Sequence, residues 1–383
     1  MIYFDNAATT RVRSEVIKAM MPFLKEKYGN ASSLHGKGVE ARHALENSRE
    51  KIARMLKVDA EEIIFCSCAT EANNLAIKGL AFEAKKKGQN HLVVSAIEHH
   101  CVLNTANWLE ENGFKVTYLP VDEYGFVDLN ALEKAINTKT FLVSVMYANN
   151  EIGTIEPIDD IVKICKEKGV LFHSDAVQAF GKIPIKTKGI DLLSLSAHKI
   201  YGPKGIGLLM KKKDVKITPL LHGGGHEFGV RSGTENVAGI VGFAKAMELA
   251  LKEMPKESKR QTKMRNKIIK ETLKIPETLL NGHPKIRLPN NANFSFRYIE
   301  GESIVMKLSE HGICASTGSA CSSPKLEPSH VLLAIGRKPE EAHGSLRISL
   351  GRYNTDKEVS IFCNIIPKII GELREVSPFW KEK

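Results

Sequence analysis

Between residues 63 and 210 seven short apolar runs alternate with stretches of helical period, and few folds accommodate that alternation. The runs are Ile63 to Phe65, Leu92 to Ala96, Val116 to Leu119, Phe141 to Met146, Val170 to His173, Leu192 to Leu195 and Gly207 to Met210. Each is of strand length. Helical patterns fall between several of them, at Glu71 to Lys87, Val102 to Asn112, Leu129 to Ile136 and Ile158 to Lys168, each closed by Gly, Asn or a basic residue. Strands joined through helices make a parallel sheet, because a parallel neighbour is reached only by a crossover. The expected class is therefore α/β, with a mostly parallel seven-stranded sheet covered by helices. Beyond Gly207 the pattern changes to a long helical stretch from Asn236 to about Lys274, interrupted at Pro255. From residue 289 onward short strands mix with helices, which predicts a smaller α+β domain. Its last helix shows Val359, Phe362, Cys363, Ile366, Ile369, Ile370 and Leu373 on one face, with a kink expected at Pro367.

Lys plus Arg exceed Asp plus Glu by 55 − 44 = 11, which suits nucleic acid, an acidic partner, or an anionic cofactor and substrate. The distribution disfavours nucleic acid. Lys85 to Lys87, Lys211 to Lys213 and the basic residues from Lys256 to Lys270 lie at helix ends or on charged faces, without interleaved aromatics. No run of about 18 apolar residues is present, so no membrane span is expected. The first residues lack the pattern of a signal peptide, and seven scattered cysteines form no disulfide framework. A cytoplasmic protein with reduced thiols is the expectation. His222 and His226 stand at a metal spacing only if helical, which Gly223, Gly224 and Gly225 oppose.

Several polar groups fall where the apolar runs end. The run from Ile190 to Leu195 passes into Ser196, Ala197, His198 and Lys199, and Gly202, Pro203, Gly205 and Gly207 forbid a continuing helix. Lys199 thus stands at a strand's carboxyl end, where open α/β sheets bind ligands. A lysine beside an apolar sheet and another cation can lose its proton and condense with an aldehyde such as pyridoxal phosphate; a surface lysine in a basic loop is the alternative. Ser67 to Glu71 opens a helix after a strand, so Thr70 and the first amides either bind a phosphate or make a plain cap. His99 follows another strand and offers a ring to stack on an aromatic group. Asp175 closes the run beginning at Val170, with Gln178 three residues later. A buried carboxylate is costly unless a cation meets it, and a pyridinium nitrogen is one such cation; a helix cap is the other explanation. Thr317 to Pro324 is small and polar, the composition of a mobile loop, and carries Cys321. Cys165, Cys314 and Cys363 lie in apolar patterns and are expected to be buried.

These motifs, in this order, resemble the cysteine desulfurases of the NifS/IscS type, within the class V aminotransferases of the aspartate-aminotransferase-like, type I pyridoxal-phosphate fold. The resemblance runs nearly end to end, through Tyr3 to Thr10, Gly29 to His35, Ala69 to Asn74, Asn149 to Gly153, Ser196 to Lys199, His222 to Glu227, Arg231 to Thr234 and Thr317 to Cys321. It implies Lys199 as the cofactor-bound lysine and base, His99 stacked on the ring, Asp175 on the pyridine nitrogen, and Gln178 and Asn150 near the ring oxygen. It implies phosphate binding by Ala69, Thr70, Ser196 and His198, with Thr234 contributed by the partner of a homodimer. Arg347, with Asn150, is implied to bind the carboxylate of L-cysteine, and Cys321 to take its sulfur as a persulfide, leaving alanine. The implied sulfur acceptor is an iron–sulfur scaffold protein of the IscU kind. No metal site is expected, Cys321 alone being left open as a ligand to an iron–sulfur cluster. The implied division is 14–257 for the large domain and 1–13 with 258–383 for the small one. Cys68 departs from the glycine usual in the phosphate cradle, and Cys66 has no role. A selenocysteine lyase or aminotransferase of the same fold, in which Cys321 is dispensable, and a sulfur carrier without cofactor chemistry are the alternatives.

Overall fold

The computed structural model describes residues 1–318 and 327–380. All seven apolar runs form strands of one sheet: β1 Ile63–Cys66, β2 His91–Ser95, β3 Lys115–Leu119, β4 Thr140–Ser144, β5 Leu171–Asp175, β6 Leu192–Ser196 and β7 Gly207–Lys211. Their order is β1-β7-β6-β5-β4-β2-β3, and β7 alone runs antiparallel to its neighbours. Alternate residues pack into two separate apolar layers. Val93, Val143, Phe172 and Leu193 enter one, while Leu92, Val94, Leu142 and Leu192 enter the other. A sheet buried on both faces needs continuous apolar strands, which is why these runs were legible. Two strands extend past their apolar part into polar residues that stay in register, so that Asp175 lies opposite Ser194 on the neighbouring strand.

Two helices were not expected, Ser14–Lys25 and Gly36–Leu56. The inward face of the second includes Gly38, Ala41, Ser48 and Arg49 beside Leu45, Ile52 and Leu56, so its apolar period is thin. The interruption expected at Pro255 does not occur: helix Val237–Thr272 runs through it, as helix Asp356–Glu375 runs through Pro367. Both prolines are exposed, where a carbonyl deprived of its donor can turn to water, and packed residues on either side hold each helix. The long helix serves two cores. Ile240, Phe243 and Met247 join the core of the large sheet; Met264 and Ile268 join a second core with Phe4, Phe294, Phe296, Leu346, Ile348, Phe362 and Ile366. That second core covers an antiparallel sheet in which Asn291–Phe296 lies between Thr278–Asn281 and Ser345–Ser349. Among the described residues no helix is long and apolar enough to cross a membrane.

Arg49 fastens the loop after β7 to the edge of the large sheet. Its guanidinium meets Glu227 at 2.8 and 2.9 Å and donates to the Ile63 carbonyl at 2.6 Å. Glu227 also accepts the Phe65 N–H at 2.7 Å, and both charged side chains are only 3% exposed. Glu227 and Phe228 hold positive φ of 48° and 58°, a conformation that needs such an anchor. Replacing one partner leaves a buried charge alone. Arg49→Met is expected to lower unfolding free energy by about 3–5 kcal/mol in urea denaturation at neutral pH; a loss under about 1 kcal/mol would show that the pair is not a clamp.

Candidate active site

The polar ends of β5 and β6 lie side by side and define the site. Asp175 is 6% exposed; its Oδ2 accepts from Asn73 Nδ2 at 2.7 Å and its Oδ1 from the Val177 N–H at 2.9 Å. Asn73 projects from helix Ala69–Lys86, which follows β1. Lys199 ends the short turn after β6, and its Nζ donates to the carbonyls of Ala7 at 2.6 Å and Ala8 at 2.7 Å. Buried Gln178, one turn beyond Asp175, donates Nε2 to the same Ala7 carbonyl at 2.9 Å.

His99 caps helix His100–Glu111, with Nδ1 accepting the Cys101 N–H at 3.1 Å. When neutral it therefore carries its proton on Nε2. Burial depresses the His99 pKa most strongly, Lys199 depresses it further, and Asp175 opposes the shift, so these three groups share one field. His198 stands 3.2 Å from Thr9 Oγ1 and is pushed down to about 4 by burial and by Lys199, Lys204 and Lys182. The fully buried Glu98 is shifted upward by burial, and its Oε2 has no partner.

A phosphate fits beside these groups. Helix Ala69–Lys86 begins without a side-chain cap, leaving the amides of its first turn, including Ala69 and Thr70, without a side-chain acceptor from Cys68. The buried Ser196 Oγ also lacks a partner. Cys68 sits at φ −167° and ψ 173°, extended backbone open to any residue, so replacing glycine there carries no conformational cost. The close approach falls to Gly207 instead, where a Cβ would lie 2.7 Å from the Cys68 carbonyl carbon. Together the capless helix start, Ser196 Oγ and the Asp175 carboxylate match the phosphate and ring nitrogen of pyridoxal phosphate.

Other expected residues are placed less simply. Arg347 is 3% exposed and already engaged, its Nη2 on Asp5 Oδ1 at 2.9 Å and its Nη1 on the Asn150 carbonyl at 3.2 Å, while its Nε has no partner. Thr234 is exposed and lines a cleft with Ser67, Cys66 and Arg231. Cys321 lies outside the described residues. Just before that segment, the Thr317 carbonyl accepts from Ser345 Oγ at 2.7 Å; just after it, Ser329 Oγ donates to Glu151 at 2.6 Å. Cys165 is buried, whereas Cys314 and Cys363 are partly exposed, contrary to expectation. Burial raises the thiols of Cys66, Cys101, Cys165 and Cys363, the last three to about 12, 12 and 11. Among the described residues no cluster of His, Cys, Asp or Glu could hold a metal ion. Asn73, Lys182 and the Ala7 and Ala8 carbonyls were missed in the sequence: backbone oxygens carry no residue signal, and Asn73 is one polar residue in the first turns of a helix.

The profile of the family described as aminotransferase class-V matches residues 2–362. Cysteine desulfurase IscS of Dictyoglomus turgidum is 54% identical over 384 residues, covering 100% of this chain and 97% of its own. Cysteine desulfurase IscS of Methanosarcina thermophila is 53% identical over 379 residues, covering 98% and 94%. Among solved structures, a NifS-like protein superposes with a TM-score of 0.92 at 45% identity, covering 97% of this chain and 100% of that one. A NifS-like protein from Rickettsia africae gives 0.88 at 34% identity, covering 97% and 99%. SspA in complex with cysteine gives 0.81 at 38% identity, covering 93% and 100%.

The depressed imidazoles have a measurable consequence. At pH 6.5, where an exposed histidine is half protonated, His198 should be neutral, titrating near 4, and His99 should be more than half neutral. Ring-nitrogen NMR chemical shifts followed against pH check this. A midpoint at or above 6.5 for either ring would show that burial and Lys199 do not govern it.

Proposed function

The chain belongs to the aminotransferase class-V family and, like its NifS/IscS-type relatives, is a pyridoxal-phosphate-dependent cysteine desulfurase; on that premise we propose how its own residues divide the work. The observation that carries the assignment is that Lys199, Asp175 and His99, each at or just past the carboxyl end of a strand of the one sheet, share one electrostatic field. Pyridoxal phosphate, when bound, supplies an aldehyde carbon for the substrate amino group and a ring that takes up electrons from Cα. Ala69, Thr70, Ser196 and His198 would hold its phosphate, with Thr234 contributed by a second copy of the chain. Asp175, oriented by Asn73 and Val177, would hold a proton on the pyridine nitrogen, Gln178 and Asn150 would meet the ring oxygen, and His99 would hold the ring.

Arg347 receives the carboxylate of L-cysteine, exchanging its contact with Asp5 for a bidentate pair. Lys199, as an amine, removes the Cα proton and so acts as general base. The Cys321 thiolate attacks the substrate sulfur. A sulfur–sulfur bond forms and the Cβ–sulfur bond breaks; the electron pair left on Cβ takes a proton from solvent to become a C–H bond, and Lys199 returns its proton to Cα to complete alanine. The persulfide on Cys321 then passes to an acceptor, for which we propose an iron–sulfur scaffold protein in the cytoplasm. We place the domain division at 14–257 against 1–13 with 258–383.

A homodimer is part of the same proposal. Leu34, Tyr28, Phe228 and Leu221 are 89, 72, 54 and 47% exposed, and Ser32 meets His226 at 3.4 Å, so the loops that carry these apolar groups adjoin. Such a surface is costly in water and suits a second copy.

Incubation with L-cysteine should yield alanine and a sulfur atom on Cys321, read by mass spectrometry. Lys199→Ala should abolish alanine formation. Cys321→Ser should still exchange the Cα proton with solvent but release alanine at least about a hundredfold more slowly, since a serine hydroxyl is a poor nucleophile towards sulfur. Parental alanine release by the Cys321 variant would make the chain a lyase or transaminase with an incidental thiol. Sedimentation should find a dimer at assay concentration, and a fully active monomer would refute the contribution of Thr234 across subunits.

A further inference from the structure

Lys182 carries an amine that the reaction above does not use. Among the described residues no carboxylate pairs with it; its Nζ donates to Gln178 twice, to the carbonyl at 2.9 Å and to Oε1 at 3.1 Å. Gln178 Nε2 donates in turn to the Ala7 carbonyl at 2.9 Å, the oxygen that also accepts from Lys199 at 2.6 Å. A side-chain amide has two orientations that differ by a half turn and are almost identical in shape. Here they differ sharply in energy. With Oε1 towards Lys182 and Nε2 towards Ala7, each donor meets an acceptor; after a half turn, N–H would face the amine and C=O would face C=O. A buried polar group set against its own kind loses its hydrogen bond and gains repulsion.

The position of the amine is itself fixed. Gly181 has φ +71°, and a Cβ there would lie 2.8 Å from Ala250 Cβ, so the backbone before Lys182 is pressed onto helix Val237–Thr272. Ser258 on that helix donates to the Lys182 carbonyl. Burial, Lys199 and Arg347 together depress the Lys182 pKa to about 7. Protonated or neutral, the amine has N–H groups for both acceptors of Gln178; only the neutral form could accept from a turned amide, and that turn would still set Oε1 against the Ala7 carbonyl.

We propose that Lys182 is a positioning residue that locks the amide of Gln178, so that its nitrogen faces the Ala7 carbonyl and the ring oxygen of pyridoxal phosphate. This assignment rests on the placement of Gln178 beside that oxygen, argued above. A merely structural lysine would tie the Gln178 carbonyl and leave the cofactor's surroundings unchanged.

The test uses holoenzyme of the parent, Gln178→Ala, Lys182→Met, Lys182→Arg and the double variant Gln178→Ala with Lys182→Met, with melting temperatures to confirm folding. Two quantities are read: the pH midpoint of the absorbance change of bound pyridoxal phosphate, and the dissociation constant of the cofactor. Gln178→Ala should move the midpoint and weaken binding about tenfold, the worth of one buried hydrogen bond. Lys182→Met should move both in the same direction, and the double variant should go no further, because both changes remove one interaction. Lys182→Arg keeps donors for both acceptors and should stay near the parent. Additive effects, a parental Lys182→Met, or a Lys182→Arg displaced as far as Lys182→Met would overturn the lock while leaving Gln178 in place. If Gln178→Ala alone changes neither quantity, the placement of Gln178 is what fails, and the lock falls with it.

Discussion

Six residues near the amino terminus, Asp5 to Thr10, stitch the two sheets together, and the site exists only where that stitch passes. On one side Ala7 N–H donates to Ser349 Oγ at 2.8 Å and Asn6 Nδ2 to the Ser349 carbonyl at 2.9 Å. On the other, Thr10 Oγ1 donates to the His198 carbonyl at 2.8 Å and accepts the Tyr201 N–H at 2.7 Å. Between these anchors the Ala7 and Ala8 carbonyls face Lys199 and Gln178. Buried carbonyls demand donors, so the segment draws the lysine and the amide to fixed places before any ligand arrives.

The electrostatics follow from unequal burial. Asp175 has two donors of its own, Asn73 and the Val177 amide, so dipoles and not a cation meet its oxygens. Glu98, beside it in the field, has one unpartnered oxygen and is pushed towards its neutral form. His99, His198 and Lys182 are all driven towards neutrality by burial and, next, by nearby cations of which Lys199 is common to all three. The two-donor carboxylate of Asp175 thus lies among an imidazole pair and an amine pushed towards neutrality, which suits a cofactor that brings a charged ring nitrogen.

The sheet was legible because strands buried on both faces are apolar throughout, and Asp175, Ser196 and Lys199 were legible because each ends such a run. The same rule hid helix Gly36–Leu56, whose inward face uses glycine, alanine and a paired arginine. Pro255 misled because helix-breaking propensity is local, whereas the packing that carries the helix across it is not. Arg347 could be expected as a carboxylate binder, but its present partner, Asp5, lies 342 positions away and no spacing rule reaches it. Backbone acceptors such as Ala7 and Ala8 are invisible to any reading of side chains.

The reach of that stitch has a bearing on how the chain is made. Residues 5 to 7 leave the ribosome long before their partners at 347 and 349, 342 positions later. The large sheet, complete by Lys211, can form on a nascent chain, but the pocket wall formed by Ala7 cannot be fixed until strand Ser345–Ser349 is available to receive it. A growing or truncated chain therefore holds a sheet bearing Lys199 while the segment that positions it lacks its anchor at Ser349. The wall formed by Ala7 is thereby tied to the presence of strand Ser345–Ser349, and a product that stops short of it carries Lys199 beside a segment held on one side only.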